Sequence, residues 1–256
     1  FYILPTFAYT VDITTLGAKG DGITDNTAFI QKAIDDCSAR KGGTVEIPSG
    51  HFLTRTLFLK SNVNLHLHFG AELLGSTDLD SYHKVFPELK GKESPALIFA
   101  RGVANIAITG SGTINGQGAH QNFQHGNDSK GGPRRPKIIY FIGCNNVRVQ
   151  DVTLRNSAYW TQDYEKCNGV IVRGVKVYSH ANWNNDGLDI DSRNVVVSDC
   201  YIDCDDDALC LKSDTDTPCE NVTVTNCVLK SNCNAIKFGA SSYLSLIHIS
   251  EPTRPY

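Results

Sequence analysis

The chain has 256 residues with 24 basic and 27 acidic side chains, a net charge of −3, nine cysteines and no methionine. That near balance argues against nucleic acid as a partner, and no apolar run reaches the roughly 20 residues that cross a bilayer. The length admits one large core or two ordinary domains.

Residues 1–10 are apolar and lack a basic n-region, so they read either as the remnant of a signal peptide or as a segment lying on the first structural layer. Residues 11–243 read as one β-rich domain. Its only predicted helix begins near Asp25 or Thr27, either of which suits a cap. Ala28, Phe29, Ile30, Ala33 and Ile34 give that helix an apolar face, and Gly42-Gly43 stops it. A helix in this place covers the open end of a stack of strands, whose first edge is otherwise unpaired.

From residue 60 the chain becomes short β-branched runs punctuated by Asn and Gly. Asn62-Val63-Asn64-Leu65-His66-Leu67 alternates as a half-buried strand does. The phrase returns at Asn105, Asn146, Gly169, Asn194 and Asn221, and from Asn146 through Asn168 the steps are 22, 26 and 27 residues. Such a period without helix signal means a solenoid of stacked strands. The Leu-x-x-Leu-x-Leu frame of leucine-rich repeats is absent. The expected fold class is all-β, a right-handed parallel β-helix with an N-terminal capping helix.

Residues 116–136 read as an insertion too polar for a core. Arg134, Arg135 and Lys137 within and beside it form a basic patch that either meets a polyuronate or only aids solubility. Tyr159-Trp160 suits stacking on a sugar ring or packing in a core. Next come two acidic clusters, Asn184-Asn185-Asp186 and Asp205-Asp206-Asp207, about one repeat apart. In a parallel β-helix successive coils are about 4.8 Å apart, which places these carboxylates on one face. Three readings fit that placement: acid/base catalysis, a calcium site using Asp186, Asp189, Asp191 and the 205–207 cluster, and a solvated acidic surface. The cysteines lack zinc spacing. Cys200 and Cys227 each follow an Asn by six residues, so they read as equivalent buried thiols in successive coils rather than a disulfide framework.

The residues also carry a resemblance. The run Leu16-Gly17-Ala18-Lys19-Gly20-Asp21-Gly22-Ile23-Thr24-Asp25-Asn26-Thr27 resembles the opening segment of pectin-lyase-like β-helices. Asn184-Asn185-Asp186-Gly187-Leu188-Asp189 resembles the Asn-x-Asp-Gly-apolar-Asp motif of the polygalacturonase family, glycoside hydrolase family 28. Asp206-Asp207, before Ala208-Leu209-Cys210-Leu211-Lys212-Ser213, resembles that family's paired-Asp motif. The likeness spans about residues 11–243. It implies an inverting hydrolase of pectic, uronate-containing polysaccharide, with Asp206 as general acid and Asp186 and Asp207 positioning and deprotonating water. It implies no metal for the chemistry. Trp160, Asn185, Asn234 and Lys237 become candidate substrate-binding residues.

Two departures stand against that pattern. The family's Gly-His-Gly segment aligns with Cys233-Asn234-Ala235, so an amide replaces a titrating His; Asn232 is a second amide nearby, and the change implies altered specificity. The family's Arg-x-Lys motif is missing. Residues 244–254 instead resemble a translated sequencing-library adapter, so residues 244–256 are expected to be a non-native tail in which His248 and Glu251 carry no function. The alternatives are a calcium-dependent polysaccharide lyase and a non-catalytic glycan-binding β-solenoid. The expected protein is a monomer whose partner is a polysaccharide, with neither nucleic acid nor membrane, and is secreted or periplasmic.

Overall fold

Alternation at period two becomes strand wherever inward side chains are branched. In Val63–Leu67, Val63, Leu65 and Leu67 are buried while Asn64 and His66 face outward. A computed structural model describes residues 9–86, 94–123, 135–213 and 217–242. The expectations placed on residues 1–8, on the 124–134 part of the 116–136 insertion with Arg134, and on 244–256 lie outside the described residues.

Strands pair in parallel throughout the described residues, forming a thirteen-stranded and an eight-stranded sheet. Two long strands, Gln162–Arg173 and Leu188–Ser198, carry the larger sheet round a corner. Their front halves pair with Lys137–Ile142 and Leu209–Ser213, and their back halves with Asn145–Gln150 and Glu220–Thr225. The register between these two strands shifts from Glu165 to Asn168. The result is the expected right-handed parallel β-helix. Down its interior runs the register column Val45, Leu65, Ile108, Val149, Val172 and Val197, all buried, and its next member, Val224 in the last coils, is exposed. Each such side chain, once buried, contributes about 1.5–3 kcal/mol. In the last described coil Ile236 and Phe238 are exposed, whereas their register partners Leu209 and Leu211 are buried.

The helix Thr27–Ala39 lies over the first coil, burying Ile30, Ala33, Ile34 and Cys37 in the same core as Val45 and Val63. Gly43 follows it because a Cβ there would lie 2.8 Å from the Tyr9 carbonyl oxygen and 2.9 Å from Cys37 Sγ. Of the two expected capping residues, Asp25 accepts from the Thr27 N–H at 3.0 Å. Thr27 does not cap; its hydroxyl accepts from the Arg55 N–H at 2.8 Å. Ala28, expected on the apolar face, is exposed. A second short helix, Leu79–Val85, had no apolar periodicity to announce it.

Of the two thiols expected to be buried, Cys200 is, whereas Cys227 is only partly covered. Seven of the nine cysteines are buried and none is in a disulfide. Cys167, Cys200 and Cys227 each donate weakly to the carbonyl two residues back and to one in the previous coil.

The repeated asparagine has a conformational reason. Asn62, Asn105, Asn146, Asn194 and Asn221 all have φ between 54° and 65°, the left-handed region that Asn tolerates and most residues do not. Their amides form rungs: Asn105 Nδ2 donates to Asn62 Oδ1, Asn146 to Asn105, Asn194 to Asn168 and Asn221 to Asn194, at 2.7–3.0 Å. At the Gly169 coil the two duties divide, Gly169 taking the left-handed turn at φ 74° and Asn168 the rung. Asn105→Ala should therefore lower stability by about 2–3 kcal/mol, from left-handed strain and lost rungs. Asn105→Gly, which keeps the turn, should cost about 1 kcal/mol less. Urea unfolding of the two variants checks this; equal losses would show that the left-handed turn is not what Asn105 supplies.

Candidate active site

Parallel stacking makes equivalent positions neighbours, and one such column holds most of the predicted site. The Ile138 N–H donates to the Trp160 carbonyl, Thr161 to Asp186, Gly187 to Asp207 and Ala208 to Asn234. Lys137, Trp160, Asp186, Asp207 and Asn234 thus occupy the same position in five successive coils. Neighbours in such a column are about 4.8 Å apart. Gly187 keeps the Asp186 backbone tight against the next coil: a Cβ there would lie 2.3 Å from Ile202 Cγ2 and 2.6 Å from the Ala208 carbonyl oxygen. A second column, three residues on, reads Tyr140, Asp163, Asp189, Cys210 and Lys237.

These columns crowd carboxylates, and lysines offset them. Lys137 pairs with Asp163, both buried, and Lys212 Nζ lies 2.8 Å from the buried Asp189. Lys237 Nζ lies 2.7 Å from Asp207 Oδ2, and Asn234 Nδ2 donates to Asp207 Oδ1 at 2.6 Å. Burial works to raise the Asp207 carboxyl, but Lys237 and Asn234 outweigh it and hold it below the usual carboxylate range. Asp186 differs. Only 4 % exposed and with no ion-pair partner among the described residues, its carboxyl is pushed up to about 9 by burial and then by the charge of Asp189, with Lys212 opposing. One proton therefore sits on Asp186 while Asp207 is ionised. Cys210 Sγ lies between them, 3.8 Å from Asp186 Oδ2 and 3.5 Å from Asp207 Oδ2.

Oxygens of Asp186 and Asp207 lie within 4.8 Å of each other, as do oxygens of Asp206 and Asp207. Asp206 is the most accessible of the three. Its N–H donates to Asn185 Oδ1 at 3.0 Å, and its Oδ1 accepts from the Asp207 N–H at 2.9 Å. The calcium reading fares poorly in this setting. Asp189 and Asp207 each face a lysine, and Asp205 faces His180 Nδ1 at 2.7 Å, so protein cations already hold the carboxylates a hard cation would need.

Several residues expected to meet substrate or solvent prove to be supports. Asn185 is fully buried, with Nδ2 on the Ser179 carbonyl at 2.6 Å and Oδ1 on the Asp206 N–H; it positions Asp206 from beneath. The basic patch is corrected more sharply, because Arg135 and Lys137 are both buried. Arg135 donates to the Ala158 and Trp183 carbonyls and to the side chains of Asn182 and Asn184, and lies 4.3 Å over the Trp183 ring. It thereby ties down the segment just before Asp186. Trp160 is half-buried, stacked on Tyr159, with Lys212 Nζ 3.5 Å and Lys137 Nζ 4.4 Å from its ring centroid. Asn232 donates to Asp205 at 2.7 Å rather than to the central carboxylates. His180, which the sequence did not single out, bridges Asp203 and Asp205 and is raised first by its hydrogen bond to Asp205. Its only sequence signal is its place one coil before Asp205.

A family model described as Glycosyl hydrolases family 28 matches residues 37–236. An Exo-poly-alpha-D-galacturonosidase of Dickeya chrysanthemi is 30% identical over 78% of this chain and 41% of its own length. An Exopolygalacturonase of Zea mays is 30% identical over 84% of this chain and 52% of its own. The crystal structure of a hyperthermoactive Exopolygalacturonase from Thermotoga maritima superposes with a TM-score of 0.80 at 26% identity, covering 92% of this chain and 63% of that one. The chain thus spans about half the length of the curated relatives it matches.

The raised Asp186 carboxyl sets a sign. Its stabilising contribution is complete below the ordinary aspartate pKa and is lost as pH rises through about 9. Asp186→Asn removes that loss, so its melting temperature should match the wild type near pH 4 and exceed it by at least about 2 °C near pH 8. Thermal melts across that range test the point, and a gap that does not grow with pH would contradict the buried, protonated carboxyl.

Proposed function

Since the chain belongs to glycosyl hydrolase family 28, we propose that it hydrolyses α-linked galacturonate bonds in pectic polysaccharide with inversion at the anomeric carbon. The observation that supports this reading most is the unequal setting of two neighbouring carboxylates, Asp186 and Asp207, beside the accessible Asp206. Asp207 is an ionised carboxylate held by Lys237 and Asn234, and Asp186 beside it is protonated. Asp206, the accessible member, protonates the leaving glycosidic oxygen. Asp207 takes a proton from water as its oxygen bonds to the anomeric carbon and the bond to the leaving oxygen breaks. Neutral Asp186 orients that water by donating a hydrogen bond to it.

Lys237 has a double part, because it lies at the edge of the site and stays partly exposed. It holds Asp207 ionised and offers positive charge where a uronate carboxylate would sit. Asn234 supports the Asp207 carboxylate with an amide, which donates at any pH. The relatives named above bear exo-acting names, which favours release from a chain end.

The lyase reading needs a cation-assisted elimination and leaves an unsaturated, ultraviolet-absorbing sugar. Incubation of the 256-residue chain with polygalacturonate should give saturated galacturonate, insensitive to EDTA, with proton NMR showing the inverted anomer first. Asp206→Asn should lower turnover by about 10²–10⁴ while polysaccharide binding persists. An unsaturated product, a retained anomer or undiminished turnover in the variant would each overturn the proposal.

A further inference from the structure

Far from the aspartates along the chain, the first coils carry a second cluster on the outer side of the larger sheet. Glu46 in Gly43–Ile47 and His66 in Val63–Leu67 are register partners, so they stand side by side. His68 follows two residues later, and its backbone is held on both sides: its N–H donates to the Ile47 carbonyl and its carbonyl accepts from the Ala71 N–H, each at 3.0 Å. One ring nitrogen from each histidine and one Glu46 carboxylate oxygen lie within 4.8 Å of one another.

The hydrogen bonds around His66 decide its tautomer. Thr109 Oγ1 donates to Asn64 Oδ1 at 2.9 Å, which uses the only hydroxyl proton. The contact of 2.8 Å between His66 Nδ1 and Thr109 Oγ1 must then be donated by the ring. That leaves Nε2 of His66 with its lone pair. A metal-ligating histidine is oriented this way, with the other ring N–H given to an oxygen behind it. A Glu46–His68 hydrogen bond of 2.5 Å accounts for those two side chains alone; it does not account for a second imidazole beside them whose Nδ1 proton is given to Thr109.

We propose that Glu46, His66 and His68 form a binding site for a divalent transition-metal ion of the zinc class. Two imidazoles and one carboxylate are the donor set such ions favour. Tetrahedral coordination at about 2.0–2.2 Å places ligand atoms about 3.3 Å apart, so Glu46 and His68 separate slightly and His66 closes in. His68 moves its ring proton to Nδ1 to offer Nε2. Glu46 and His66 are partly covered and His68 is half exposed, leaving a fourth position for water. The ion would cross-link two adjacent coils beneath the capping helix.

The test is calorimetric titration of the chelator-treated 256-residue chain with Zn²⁺, repeated in a Cys233→Ser background. That background is needed because Cys233 with Asp206 and Asp207 is a rival donor cluster. One ion per chain should bind in both backgrounds. His68→Ala should remove binding, and Thr109→Val, which touches no ion, should weaken it about 10–100-fold. His68→Ala should melt like the wild type without metal, since His68 is at the surface. Absence of heat on Zn²⁺ addition would reduce the cluster to a Glu–His hydrogen bond. Binding unchanged in both histidine-site variants, or lost with Cys233, would place the ion elsewhere and overturn the proposal.

Discussion

Everything in this molecule depends on in-register parallel stacking. Because each coil repeats the backbone of the last, any residue at a given position meets its own equivalent about 4.8 Å away. For apolar residues this is favourable, and the column from Val45 to Val197 fills the interior. For the turning residue it sets a demand for left-handed backbone, which Asn satisfies while its amide adds a rung to the next coil. For charged residues the same stacking is a penalty, since like charges in successive coils repel. The protein interleaves Lys137, Lys212 and Lys237 among Asp163, Asp189 and Asp207. Asp186 is the member left without its own lysine among the described residues, and burial beside Asp189 makes it keep its proton. The catalytic asymmetry proposed here is thus a by-product of a stacking rule, applied to a column with one cation too few.

The periodic features could be read directly from the sequence. Repeated Asn-Val phrases gave the coil length, alternation gave the inward face, and Gly42-Gly43 after an apolar helical face gave the cap. The clusters at 184–186 and 205–207 were legible for the same reason: the interval between them is one coil. Register proved tighter than spacing could establish. Unequal loops hid the fact that Lys137, Trp160, Asp186, Asp207 and Asn234 share a single position, which only the hydrogen bonds from coil to coil reveal.

What could not be read was the covering of outward-facing positions. A strand in a solenoid turns alternate side chains away from the core, and nothing local says whether water or another segment waits there. Arg135 and Lys137 therefore looked like a solvated patch, yet Arg135 anchors 182–184 and Lys137 neutralises Asp163. Asn185 looked like a substrate ligand because it sits inside the motif; the buried carbonyl of Ser179 claims its amide instead. Glu46, His66 and His68 were unremarked because their proximity comes from pairing between coils.

The account turns on one protonated and one ionised carboxylate at neighbouring positions. Carbon-13 NMR titration of aspartate-labelled protein, with Asp186→Asn and Asp207→Asn used for assignment, measures that directly. Asp186 should titrate near pH 9 and Asp207 below the usual carboxylate range. If both titrate near 4, the stacked carboxylates are hydrated and independent, and the division of roles between them fails.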